Sequence, residues 1–274
     1  TQLQRFMNCI GGYTAQKHNY SLAAGLAILP HIVGDHAPLR NPTSWQAIEE
    51  ATELFIAVGG VGTRNAQVEP GGMGAHTAVP WLDRLARKGI KLVSITPLRH
   101  DTPEFMDAEW WSSRPNTDVA MMMGLAHTLV TEGLHDPAFL ARYTTGFERF
   151  EAYLTGASDG VAKSAEWAAN ITGLRAQDIK ALARDMAAKR TMIATSYSLQ
   201  RGDHGEQAFW MTATLAATVG QIGMPGGGFS FGYGSMHGQG NPLKAVPPVS
   251  HSAGENPTGS FIPVARITDL LEKP

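Results

Sequence analysis

Short, unbroken apolar runs alternate along this chain with longer segments in which apolar residues return every three or four positions, and the two patterns predict different elements. The run Leu54-Phe55-Ile56-Ala57-Val58, ended by Gly59-Gly60, reads as a strand buried on both faces. Lys91 to Thr96, ended by Pro97, gives a second strand, and Thr191 to Ser196 a third. Between the first two, His76 to Lys88 places Ala78, Trp81, Leu82 and Leu85 on one helical face, with Gly89 as its stop. Ser44 stands where it can cap a helix beginning at Trp45. Asp118 to Thr131 predicts a long apolar helix, Asp136 opens another, and Ala176 to Lys189 is helical. A further helix over Gly205 to Gly223 is introduced by Asp203 and Glu206 at capping-box spacing. Upstream, Leu3 to Met7 reads as part of a helix, Gly11-Gly12 as a turn, and Leu22 to Val33 as a helix of small and apolar residues. From Pro225 to about Pro263 the chain is rich in Gly, Pro, Ser and His without periodicity, which makes it cofactor-lining or disordered. Strand–helix alternation of this kind implies an α/β fold around a parallel sheet, with ligands at the carboxyl ends of the strands.

Composition removes several function classes. With 274 residues and 43% hydrophobic content the chain can build one large or two modest cores. Charged residues are sparse at 17% and nearly balanced, with a net of −2, so the basic footprint of a nucleic-acid binder is missing. Gly, Pro, His or polar residues interrupt every apolar stretch before the roughly 18 residues that suggest a membrane span. Cys9 is the single cysteine, which excludes an intrachain disulfide and any all-cysteine iron–sulfur or zinc site. It is expected to be a small buried residue. The pair His31 and His36 is off the helical spacing for a zinc site, Met121-Met122-Met123 reads as core filling, and Trp110-Trp111 as packing. The chain opens at Thr1 without a methionine or a targeting pattern, and is expected to be a piece of a longer protein.

The turn after the first strand, Gly59-Gly60-Val61-Gly62-Thr63-Arg64-Asn65, is a near miss to the dinucleotide fingerprint. A nicotinamide site also wants an acid at the end of the second strand, where this chain has Thr96. That weakens a reading as an NAD-dependent dehydrogenase domain and leaves a nucleotide of another kind open, as well as a non-catalytic nucleotide-binding module. The glycines can also serve only a tight turn. Ser21 can simply cap the helix beginning near Leu22, and Asp118 can simply stabilise the start of the helix it opens.

Several stretches, taken in order, resemble one family. They are Gly11 to Ser21, Pro30 to Gly34, Asn65-Ala66-Gln67, Ser94 to Thr102, Arg114 to Asp118, Ala126 to Gly133, Ala165 to Ala168, Leu199-Gln200-Arg201, His204 to Gln207 and Gly220 to Gly228. The last is characteristic of molybdopterin oxidoreductases in general; Ser21 in the first narrows the resemblance to the dimethyl sulfoxide, trimethylamine N-oxide and biotin sulfoxide reductases. The resemblance implies a central fragment of such an enzyme. Its fold would be a Rossmann-like parallel sheet flanked by helices over residues 46–225, with residues 1–45 part of a second α/β cofactor-binding domain and residues 226–274 a Gly-rich cofactor loop and return segment. It also implies molybdenum held by bis(molybdopterin guanine dinucleotide), oxygen-atom transfer from a small S-oxide or N-oxide, an electron-donor protein, and a periplasmic or, alternatively, cytoplasmic enzyme. Soft sulfur ligands would come with the cofactor, which fits the single cysteine, and Ser21 would add one oxygen as an alkoxide.

Carried onto this sequence, the resemblance implies that backbone N–H groups of Gly59, Gly60 and Gly62, with Arg64 and Asn65, meet a pyrophosphate. Thr96, Pro97 and Arg99 would lie at the guanosine ribose, Asp118 at the guanine with Asn116 also binding the cofactor, Gln200 and Arg201 at pterin or phosphate, and Gly226, Gly227 and Gly228, followed by Phe229, Tyr233 and His237, over the pterins. The chain departs from the family at Thr96, usually aspartate, at Val61 and Gly62, usually Asp-Pro, and at Ser196-Tyr197, usually Gly-Trp.

Overall fold

The computed structural model describes residues 2–65, 68, 74, 76–242 and 251–272. They form two compact units, one of residues 24–242 and one built from residues 1–23 and 243–274.

The larger unit is organised by a five-stranded sheet. In chain order, β1 (Ala15–Lys17) belongs to the smaller unit; β2 (Leu54–Val58), β3 (Lys91–Ile95), β4 (Glu109–Trp111), β5 (Thr191–Thr195) and β6 (Gly228–Phe231) form the sheet; and β7 (Phe261–Pro263) pairs with β1. The sheet order is β4-β3-β2-β5-β6 and every pairing is parallel. Leu54 stands opposite both Lys91 and Thr191, which makes β2 the central strand. All five of its residues are buried, because side chains alternate between two covered faces.

Leu54, Ile56 and Val58 face a core shared with helices Asp118–Thr131, Ala165–Thr172, Ala176–Ala188 and Glu206–Val219. Phe55 and Ala57 face a second core with Trp45 and Ile48 of helix Trp45–Ala51 and Leu82 and Leu85 of helix Ala78–Lys88. Helix Asp118–Thr131 is apolar around its circumference because it is wrapped by neighbours: Met121, Met122, Leu125 and Leu129 are fully buried. Gly124 lets Ala165–Thr172 approach, since a Cβ there would lie 2.7 Å from Ala168 Cβ.

Local signals set several boundaries as expected. Ser44 Oγ accepts from Ala47 N–H at 3.2 Å, Asp136 Oδ1 from Phe139 N–H at 2.8 Å, and Gly89 ends its helix at φ +77. Others moved. The helix expected to reach Gly223 ends at Val219, where Gly220 adopts φ +77, and its N-cap is Gly205 with no side-chain bond; Asp203 is exposed. Asn19, not Ser21, accepts at the turn before helix Ala23–Val33: its Oδ1 takes the Ser21 and Leu22 N–H groups at 2.9 and 3.0 Å. Cys9, expected to be buried, is exposed at the end of helix Gln2–Cys9, none of whose residues is buried. The stretch expected to be irregular after Pro225 contains β6 and β7. No helix among the described residues is long and apolar enough to cross a membrane.

Candidate functional site

Because β4-β3-β2-β5-β6 are all parallel, their carboxyl ends share one edge. The chain leaves β2 for β3 on one side, while β5 pairs on the other, so the strand order reverses between β2 and β5. In an open parallel sheet this is where a ligand crevice forms. The loops arriving there are residues 59–65, 96–102, 112–118 and 196–202, which hold most of the predicted site residues.

The glycine turn is held by neighbours on both sides. Gly59 and Gly60 have φ +84 and +77; a Cβ on Gly59 would lie 2.4 Å from Leu199 Cδ1, and one on Gly60 2.7 Å from the Asp101 carbonyl oxygen. Their N–H groups, expected to face a pyrophosphate, are engaged within the chain: Gly59 donates to Ile95 O at 2.8 Å and Gly60 to Ala57 O at 3.4 Å. Gly62 differs. Its N–H has no partner among the described residues, and Gly234 packs against its backbone, since a Cβ there would stand 2.3 Å from Gly62 O and 2.9 Å from its nitrogen. Arg64 Nη2 donates to Asp101 Oδ1 at 3.2 Å and to His100 O at 3.4 Å. The Asn65 carbonyl accepts from Val68 N–H at 2.9 Å. Ala66 and Gln67 lie outside the described residues.

At the end of β3, Thr96 is buried and its Oγ1 donates to Asp101 Oδ2 at 2.8 Å. Trp110 Nε1 donates to the Thr96 carbonyl at 2.9 Å, so the tryptophan pair does more than pack. Pro97 and Arg99 are exposed. Asp101 was missed in the sequence because Arg99–Asp101 reads as polar loop; a 3-10 turn carries it back over the strand end.

Across the edge, Asn116 adopts φ +63 and its Oδ1 lies where a Cβ on Gly202 would stand, which brings the loops after β4 and β5 together beside Arg201. Asp118, half-buried in the first turn of its helix, accepts from its own backbone N–H and from no other group among the described residues, and desolvation raises its pKa. Gln200 is buried; its Oε1 accepts from Ala24 N–H at 2.9 Å, while its Nε2 is buried without an acceptor. Tyr197 is a strut: its hydroxyl donates to Leu39 O and accepts from Gln239 Nε2 at 3.1 Å, and burial pushes its pKa up to about 12.

Gly226, Gly227 and Gly228, expected to lie over the pterins, stand at the opposite edge. Gly228 pairs in register with Met192 near the start of β5, and a Cβ on Gly226 would meet Thr52 Oγ1 at 2.8 Å and Ala47 O at 2.9 Å. These glycines admit close backbone packing at the amino ends of the strands. Of the residues expected to follow them over the pterins, Phe229 packs in the first core, and Tyr233 is buried in the second with its hydroxyl donating to Thr43 O at 2.5 Å. His237 is buried, and its N–H donates to Val68 O at 2.9 Å. Ser21, in the smaller unit, is exposed and its hydroxyl has no partner among the described residues.

Residues 1–269 match the family model for molybdopterin oxidoreductases. The chain belongs to the molybdopterin oxidoreductase family. It is 46% identical to biotin sulfoxide reductase of Cereibacter sphaeroides, across 100% of this chain and 37% of that protein. Identity is 42% to dimethyl sulfoxide/trimethylamine N-oxide reductase of Rhodobacter capsulatus and 38% to trimethylamine-N-oxide reductase of Haemophilus influenzae, each across 100% of this chain and 34% of the relative. The chain thus spans about a third of the length of the curated relatives it matches. Acetylene hydratase from Pelobacter acetylenicus shares the fold, with a TM-score of 0.57 and 20% identity over 81% of this chain and 28% of that one. Membership implies a molybdenum–pterin cofactor and replaces the nicotinamide-dependent alternative. The residues present fit such a group: among the described residues Gln200 Nε2 is a buried donor without an acceptor, Asp118 is a desolvated carboxyl held by its own backbone N–H alone, and the Gly62 N–H has no partner.

Proposed function

We propose that this chain is the central part of a molybdenum enzyme that reduces a small S-oxide or N-oxide, and that it supplies one guanine-dinucleotide cradle and the serine ligand of bis(molybdopterin guanine dinucleotide). The carrying observation is whole-chain identity of 38–46% to three reductases of such oxides. When bound, the cofactor supplies two-electron oxygen-atom transfer. The exposed Ser21 hydroxyl, without a partner among the described residues, can give up its proton to become an oxygen ligand. The Gly62 N–H, without a partner among the described residues, holds the pyrophosphate with Arg64 and Asn65, and Arg99 lies toward the ribose. Asp118 accepts from guanine N1–H and the 2-amino group together, and its half-buried position makes that pairing costly to leave unmade. Gln200 Nε2 offers a donor to a pterin or phosphate acceptor. An electron-donor protein and periplasmic residence belong to the same reading.

The test uses the full-length enzyme purified from a molybdenum-replete host. Stoichiometric molybdenum, GMP on acid hydrolysis, and turnover of dimethyl sulfoxide, trimethylamine N-oxide or biotin sulfoxide are expected. Ser21→Ala should keep most of the cofactor and lose turnover per molybdenum. AMP in place of GMP, or wild-type turnover in Ser21→Ala, would overturn the assignment. Cell fractionation tests the compartment.

A further inference from the structure

Asp101 occupies a position that the strand-end residue Thr96 cannot fill. Its carboxylate lies at the carboxyl edge beside the switch between β2 and β5, over the glycine turn: a Cβ on Gly60 would stand 2.8 Å from Asp101 Cβ. Among the described residues it has two engagements, Thr96 Oγ1 at 2.8 Å on Oδ2 and Arg64 Nη2 at 3.2 Å on Oδ1. A carboxylate has about four lone-pair sites, so roughly two remain. The side chain is 26% exposed, which leaves the carboxylate within reach of a ligand, and the Arg64 side chain is 67% exposed. An ion pair that open to water is worth little and is easily exchanged.

We infer that Asp101 is the carboxylate that takes the ribose hydroxyls of a bound nucleotide, with Arg64 as its present ion-pair partner. Thr96, with a hydroxyl in place of a carboxylate, aims the Asp101 carboxylate instead of replacing it. On binding, Arg64 exchanges Asp101 for the nucleotide's phosphate, a stronger acceptor, and Oδ1 is released to accept from a ribose hydroxyl. The two exchanges are coupled, so nucleotides lacking either group lose both. This rests on the guanine-nucleotide reading above.

The probes are GMP, 2′-deoxy-GMP, 2′,3′-dideoxy-GMP and guanosine, titrated by calorimetry into cofactor-free full-length enzyme. The wild type should bind GMP at least tenfold tighter than the dideoxy nucleotide. Asp101→Asn keeps the shape and a Thr96 contact, and should bind both about equally. A carboxylate that only braced the turn would weaken both nucleotides by the same factor in Asp101→Asn, leaving the preference intact, and that result would overturn the inference. Arg64→Ala should erase the preference for GMP over guanosine while keeping the preference for ribose hydroxyls. Loss of ribose preference in Asp101→Glu as well as Asp101→Asn, with unchanged melting temperature, would confirm that position and charge both matter. Adenine nucleotides binding as tightly as GMP, with ribose preference intact, would sink the guanine reading and leave Asp101's role standing; no nucleotide binding by wild type would sink both.

Discussion

Gly60 and Asp118 show how single residues at the sheet edge carry opposite kinds of constraint. Gly60 combines a left-handed φ of +77 with a Cβ position 2.7 Å from a backbone oxygen, so neither the dihedral nor the neighbour can give cheaply. Gly60→Ala should cost roughly 1–3 kcal/mol in urea unfolding, while the more open Gly62→Ala costs less. Asp118 stores its constraint as charge. Burial raises its carboxyl above the ordinary 3.8, so the folded state holds its proton longer than the unfolded chain does. Stability from this group is full below the unfolded value and falls as pH rises through the raised one. Asp118→Asn should therefore gain melting temperature relative to the cofactor-free wild type as pH climbs from about 3.5 to 7. The gain should vanish in the loaded enzyme, where guanine donors favour the ionised carboxylate. A constant difference across pH would refute the assignment of cause.

Strands and helices differ in how plainly they announce themselves. Removing Ile56, fully covered at the centre of β2, should cost about 2–5 kcal/mol in the Ile56→Ala variant, read from denaturant midpoints at unchanged slope. Such a strand is legible because five consecutive apolar residues end at paired glycines. Several helix boundaries were legible for the same kind of reason, through Ser44 before Trp45–Ala51, Gly89 after Ala78–Lys88 and Asp136 before Pro137–Tyr143. β4 was not, since three residues on a sheet edge with Trp110 partly exposed give no alternation to read. β6 begins in the glycine run and ends at Gly232, so its four residues read as loop. Gly226–Gly228, expected as part of a loop over the pterins, stand at the amino ends of the strands. In the site, Gly59 to Gly62 and Thr96 could be found by spacing. Asp101 could not, because a 3-10 turn reverses the chain after Pro97 and no periodicity encodes that reversal.

At the scale of the whole molecule, the sheet's two edges should behave differently when cofactor is present. Hydrogen exchange of loaded against cofactor-free full-length enzyme should show new protection over residues 59–65, 96–102, 116–118 and 196–202, and none over 226–228. Protection centred on 226–228 would contradict the placement of the site. The 274-residue chain on its own should retain little molybdenum, because one serine oxygen cannot hold a metal whose other ligands arrive with a cofactor; metal analysis decides this. The pairing of Ala15 with Phe261 has a temporal meaning as well. The strands of the smaller unit come from the two ends of the chain, so β1 must wait for β7 while residues 24–242 emerge and acquire their own sheet. At roughly 5–20 residues per second of synthesis, that wait is on the order of tens of seconds. Stalled chains in which residues up to Pro242 have left the exit tunnel and β7 has not should resist protease across the sheet while residues 2–23 are cut, leaving the serine-bearing segment waiting on β7.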